Sequence, residues 1–193
     1  MENRVFKETE LYLYQGVAVA QWQSTPPFGE DKMPKAAIAF YERHLKDART
    51  LYEERLCKVA EMEYEADANP RKRFSFLRFF ATYSLCITYE NEGVLSVLRS
   101  FSLKRGAESL AEYSFAEVWS ESGVLLPAFC FCSQKALKKA AKEAGVSARL
   151  LSKSDFYIEE DRLVFLVRGK EVSLLREKTE IPKLFASKFQ KLL

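Results

Sequence analysis

The feature that most constrains this chain is a long apolar stripe over residues 34–62. Ile38, Tyr41, Leu45, Ala48, Tyr52, Leu56, Val59 and Met62 recur every three or four positions, the period of a single helix face. Pro34 suits a first helical turn, where a missing N–H costs no intrahelical bond. The spacing predicts one helix of about 25–30 residues, roughly 40 Å long at about 1.5 Å per residue. Its other face carries Glu42, Arg43, Lys46, Asp47, Arg49, Glu53 and Glu54, with Glu42 and Lys46 in the favourable order for an i,i+4 ion pair. Such a stripe must be buried against another layer, so the rest of the chain has to supply a sheet.

The flanking segments read as strands. Leu11 and Leu13 alternate with Tyr12 and Tyr14, and Val17 and Val19 alternate with small neighbours. Gln15-Gly16 interrupts them, giving two short strands or one with a bulge. Thr25-Pro26-Pro27-Phe28-Gly29 ends that run, because proline cannot continue a ladder. After Asn69-Pro70 the texture returns to β: Phe74, Phe76, Phe79 and Phe80, then Tyr83, Leu85, Ile87 and Tyr89 in strict alternation. Asn91-Glu92-Gly93 is a hairpin signal. Residues 94–103 should return, and a third strand over 113–119 follows a break at Arg105-Gly106. Ser133 is placed to cap a helix running to about residue 144, with Leu137, Ala140 and Ala141 inward and Gly145 ending it. Residues 156–158, 163–167 and 172–175 form a three-stranded meander, and 181–193 a short closing helix carrying Leu184, Phe185, Phe189 and Leu192. This order predicts an α+β fold, a long helix packed on antiparallel sheets in two small lobes. The expected lobes are residues 1–72, strands plus the long helix, and 73–193, a meander with one or two helices, packed as one unit.

Composition narrows the function classes. With 193 residues, 48% apolar and 13% aromatic, the chain has ample material for a core, and 7 Gly and 6 Pro exclude a low-complexity chain. No apolar run approaches the length of about 18 residues that a membrane-spanning helix needs. The start, MENRVFKETE, lacks an apolar signal region. Together with four cysteines, Cys57, Cys86, Cys130 and Cys132, that points to a reducing cytoplasm. The net charge of +3, from 30 basic and 27 acidic residues, says little about partners; lysines at helical spacing are usually the solvated side of an amphipathic helix, which argues against nucleic acid. Lysines do gather in the C-terminal third, at 135, 138, 139, 142, 183, 188 and 191.

Catalytic constellations are scarce. The only histidine, His44, rules out multi-histidine metal sites. Cys130 and Cys132 have no second ligand pair, and beside Phe129 and Phe131 they read as small apolar residues. Neither a metal nor a cofactor is expected. The carboxylate pairs available for acid–base work are Glu108 with Glu112 and Glu159 with Asp161. Candidate binding residues are Trp22 and Trp119, each where a strand meets a turn, and Phe28 in the Pro-Pro loop.

Several short motifs resemble a bacterial family. The first strand followed by Pro27-Phe28-Gly29, the hairpin of Tyr83, Leu85, Ile87 and Tyr89 with Val94-Leu95-Ser96-Val97, Glu117-Val118-Trp119 with Gly123-Val124-Leu125-Leu126-Pro127, and Asp155-Phe156-Tyr157 with Leu163-Val164-Phe165 are similar to one pair of domains. Those paired domains of unknown function occur in the extracytoplasmic part of the lysozyme-sensing sigma-V anti-sigma factor. They also occur beside the catalytic domain of some peptidoglycan N-acetylglucosamine deacetylases. The resemblance implies a two-lobed α+β fold and binding or scaffolding rather than catalysis. The expectation is a non-enzymatic module that binds a protein or small ligand. A cell-wall carbohydrate hydrolase or deacetylase-like enzyme using carboxylates, and a nucleic-acid binder using the lysine-rich third, are the alternatives.

Overall fold

The computed structural model describes residues 8–25, 28, 31, 33–67, 76–91, 93–160 and 162–175. In chain order the strands and helices are β1 (Glu8–Tyr14), β2 (Val17–Ser24), α1 (Lys35–Leu51), α2 (Lys58–Ala66), β3 (Phe79–Asn91), β4 (Val94–Arg105), β5 (Glu108–Ser120), α3 (Gln134–Glu143), α4 (Ala148–Leu151), β6 (Phe156–Glu159), β7 (Arg162–Val167) and β8 (Lys170–Leu175). The fold is α+β, with one sheet ordered β1-β2-β3-β4-β5 and another ordered β6-β7-β8. The chain forms two compact units, residues 1–85 with 99–114 and residues 86–98 with 115–193, so β3, β4 and β5 each contribute to both.

In the first unit β1 and β2 form an antiparallel hairpin with a register shift between Tyr12 and Leu13. Its turn places Gln15 at φ 50° and Gly16 at φ 78°, the two left-handed positions of a type I′ turn, where the missing Cβ of Gly16 removes the steric cost. β2 then pairs in parallel with β3. Parallel neighbours require a crossover, and the long helix is that crossover. An all-antiparallel arrangement is therefore corrected at this one pairing. Strand parity aims Trp22 of β2 and Ala81 and Tyr83 of β3 at the helix. Trp22 packs on Tyr52 with ring centroids 5.4 Å apart, and the Tyr83 hydroxyl donates to the Tyr41 carbonyl at 3.4 Å.

The helix departs from the expected regular stripe. Tyr52–Cys57 is π-helical and separates α1 from α2. A π-turn absorbs one extra residue. Before and within it, Tyr41, Ala48, Tyr52 and Leu56 are buried as the spacing predicts. After it, Ala60 and Tyr64 are buried, while Val59 and Met62 are 38% and 61% exposed. The buried face has moved on by one residue. Deleting Glu54, an exposed π-turn residue, should restore α-helical spacing and keep Ala60 and Tyr64 inward. The expected loss is that of an ordinary surface change, about 0.5 kcal/mol. Deleting Asp47 from α1 instead turns everything after it by about 100°, and should abolish folding of this unit. Thermal melts followed by circular dichroism check the pair; equal losses would refute the extra-residue account.

The second unit follows its local signals closely. The Ser133 hydroxyl accepts from the Ala136 N–H at 3.2 Å, and Gly145 closes α3 at φ 68°, the left-handed cap position. Leu137, Ala140 and Ala141 join Phe131, Leu151, Ile158, Leu163, Phe165 and Val167 in one core. β6, β7 and β8 form the expected antiparallel meander. The single turn α4, capped by Ser147 through the Leu150 N–H at 3.1 Å, is an addition to the sequence reading. Phe74, Glu92, Asp161 and the expected closing helix over 181–193 lie outside the described residues.

Candidate ligand groove

Both tryptophans, the candidate binding residues at strand ends, sit in cores. Trp22 is 2% exposed and Trp119 is 4% exposed. Trp22 shares its strand face with Ser24, under the helix, and packs between Tyr52 and Phe101, the latter at 6.5 Å. Trp119 lies beside buried Val118 and forms an antiparallel bridge with Leu125. Phe28 is half-buried in a loop whose neighbours on both sides lie outside the described residues. Among the described residues, the most exposed of the large apolar rings is Phe129, at 74%, ahead of Tyr113 and Phe115. The 3-10 turn Ala128–Cys130 turns it outward while Phe131 and Cys132 enter the core.

The polar chemistry of the first unit concentrates on β1. Its helix-facing side chains are Glu8, Glu10, Tyr12 and Tyr14, and three of these are bridged to the helix. Glu10 accepts from Arg49 Nη2 at 2.5 Å, and Arg49 Nε also donates to Glu53 at 2.6 Å. That bond from Arg49 holds the Glu10 carboxyl below the usual carboxylate range. The Tyr12 hydroxyl donates to Glu61, which pushes its pKa up to about 12. The Tyr14 hydroxyl donates to Glu65, which raises it too. The Arg49 guanidinium also lies 5.4 Å from the Trp22 ring centroid and 5.7 Å from that of Tyr52, so two aromatic faces and two carboxylates hold one cation.

The fourth helix-facing residue, Glu8, marks where this ladder opens. In register it lies opposite Ser24, whose buried hydroxyl donates to it over 3.5 Å, a long bond. Across from them α1 presents Glu42, Leu45, Lys46 and Arg49, one helical face. Together with Trp22 these residues line a groove of about 290 Å³. Among the described residues, the Glu42 and Lys46 side chains enter no hydrogen bond or ion pair. The expected Glu42–Lys46 pair is thus not formed, and both groups face the groove instead. The sequence signal was the run Glu8, Glu10, Tyr12, Tyr14, polar or aromatic at every second position.

The other candidates do not converge. Glu108 and Glu112 are exposed and four residues apart on β5, about 13 Å along a strand. Carboxylates that flank a glycosidic bond stand roughly 5–9.5 Å apart. His44 packs edge-on against Phe40 at 4.5 Å; burial, then the charge of Arg99, lowers its pKa. All four cysteines are free thiols, and burial pushes Cys57 and Cys130 up to about 11. Among the described residues no cluster of three or more metal-ligating side chains occurs, and no helix is long and apolar enough to cross a membrane. Lys135, Lys138, Lys139 and Lys142 form an exposed stripe on α3, with Lys139 3.9 Å from Glu143; Lys183, Lys188 and Lys191 lie outside the described residues.

No protein-family model matches the chain, and no curated protein matches it. Two solved structures are similar over most of its length. One is a member of the DUF3298 family from Bacteroides fragilis, 11% identical, with a TM-score of 0.44 over 94% of this chain and 90% of that one. The other is a DUF3298 family protein from Pseudomonas aeruginosa, 11% identical, with a TM-score of 0.42 over 90% of this chain and 91% of that one. Both neighbours belong to a domain family of unknown function, and at these scores the likeness assigns this chain neither a family nor an activity.

Proposed function

We propose that this chain is a non-catalytic binding module, and that the groove beside Trp22 is where it holds its ligand. The observation that carries this reading is the open end of the β1–helix ladder. Three helix-facing residues of β1 are bridged, while Glu8, Glu42 and Lys46 face a common groove over an apolar floor of Leu45 and the Trp22 edge. A few convergent polar groups over an apolar floor are what small-ligand sites usually present. The separation of Glu108 and Glu112 weighs against carboxylate catalysis, and the half-buried His44 packs on the Phe40 ring. The α3 lysine stripe spans only about 11 Å along the axis, enough for a few phosphates, so nucleic acid stays behind the groove as a reading.

The test places Trp22 as sole reporter in a Trp119→Phe background. A groove ligand should shift Trp22 emission saturably, and Leu45→Arg, which fills the groove, should abolish the shift at unchanged melting temperature. Glu108→Gln and Glu112→Gln should leave the shift unaltered. Turnover of a cell-wall sugar that disappears in either glutamine variant would replace this reading with the enzyme.

A further inference from the structure

We infer that the groove takes a cation on an apolar stem, such as a lysine- or arginine-bearing segment of a peptide; this rests on the groove being the binding site. The groove lining carries two carboxylates, Glu8 and Glu42, and two cations, Lys46 and Arg49, but the cations are not equally available. Arg49 is already held by Glu10 and Glu53 at 2.5 and 2.6 Å. That leaves two carboxylates, Glu8 and Glu42, against one ammonium, Lys46. The buried Ser24 hydroxyl, joined to Glu8 only by its 3.5 Å bond, is available as a further oxygen acceptor.

The neighbouring rung shows which chemistry this wall accepts. One layer along β1, a guanidinium lies over Trp22 and Tyr52 and between two carboxylates. The Glu8 layer repeats the acidic half of that arrangement with no guanidinium of its own. A ligand cation set between Glu8 and Glu42 would complete it, with its methylene stem along Leu45 and the Trp22 edge, as long cationic side chains cover apolar surface. Lys46 competes for the same carboxylates, so its removal should favour the ligand.

Three capped peptides serve as probes: acetyl-Leu-Lys-Leu-amide and its counterparts with glutamine and glutamate at the centre. Binding is read from Trp22 emission in the Trp119→Phe protein. The lysine peptide should saturate. Glu8→Gln and Glu42→Gln should each weaken it about threefold to tenfold, the scale of a partly exposed ion pair. Lys46→Ala should tighten it by a similar factor, and added salt should weaken it. Melting temperatures check that the variants stay folded, which exposed positions favour. Equal or better binding of the glutamine or glutamate peptide, lost in Leu45→Arg, overturns the cation assignment and leaves the groove as the binding site. Affinity for the lysine peptide that ignores both glutamine variants overturns it as well. Absence of saturation with all three peptides overturns both.

Discussion

Trp22→Ala should remove about 3–5 kcal/mol of stability, the range for deleting a large buried aromatic side chain. The ring is nearly inaccessible and packed against Tyr52 and Phe101. Its loss leaves a cavity under the π-turn, where the helix cannot collapse without moving the bridges from β1. It also removes one of the two aromatic faces beneath Arg49, so the Glu10–Arg49 rung should loosen with it. Against a total stability of roughly 5–15 kcal/mol for a domain, that is enough to unfold a large fraction of the protein at ambient temperature. Urea denaturation followed by far-UV circular dichroism measures it, with Trp22→Phe as the milder control that keeps part of the ring. A midpoint unchanged in Trp22→Ala would put the ring outside the core and revive a surface role.

What the sequence made legible was local. Ser133 and Gly145 bracket α3 because capping chemistry acts within a few residues. The meander over β6, β7 and β8 is legible because turn residues and period-two alternation fall close together. The long helix was legible in extent and not in its buried face beyond Leu56. No residue type marks a π-turn, and the slip that exposes Val59 and Met62 depends on what the sheet offers opposite them. The parallel pairing of β2 with β3 was hidden for the same reason, since partner choice across a crossover leaves no short-range trace. The placement of Trp22 was left open by the sequence because parity decides it. A strand-end tryptophan projects or packs according to which face the helix covers, and that face is set 30 residues later in the chain, by Tyr52. The groove was half legible. The alternation of Glu8, Glu10, Tyr12 and Tyr14 announces a polar strand face, but only the structure shows that Arg49, Glu61 and Glu65 answer three of them.

Phe165→Ala should cost the second unit about 3–5 kcal/mol, the counterpart of the Trp22 effect in the first. Phe165 is fully buried, lies directly opposite Phe156 in the β6–β7 register, and packs on it with ring centroids 5.6 Å apart. Phe156 in turn meets Phe131 at 5.9 Å. A three-stranded sheet of short strands is stable only with an apolar face covered by another element. Here α3 supplies Leu137, Ala140 and Ala141 to the same core, and two of those are too small to refill a vacated ring. The damage should therefore pass to the cap of the α3 helix and to Ile158, whose N–H donates to the buried Ser96 hydroxyl at 2.9 Å. Each unit holds one tryptophan, so the location of the loss is measurable. In a Trp22→Phe background, Trp119 emission reports the second unit, and its urea midpoint should fall in Phe165→Ala while Phe165→Leu keeps most of the stability. A Trp119 transition that stays in place would mean that the Phe131, Phe156 and Phe165 rings do not hold this unit together.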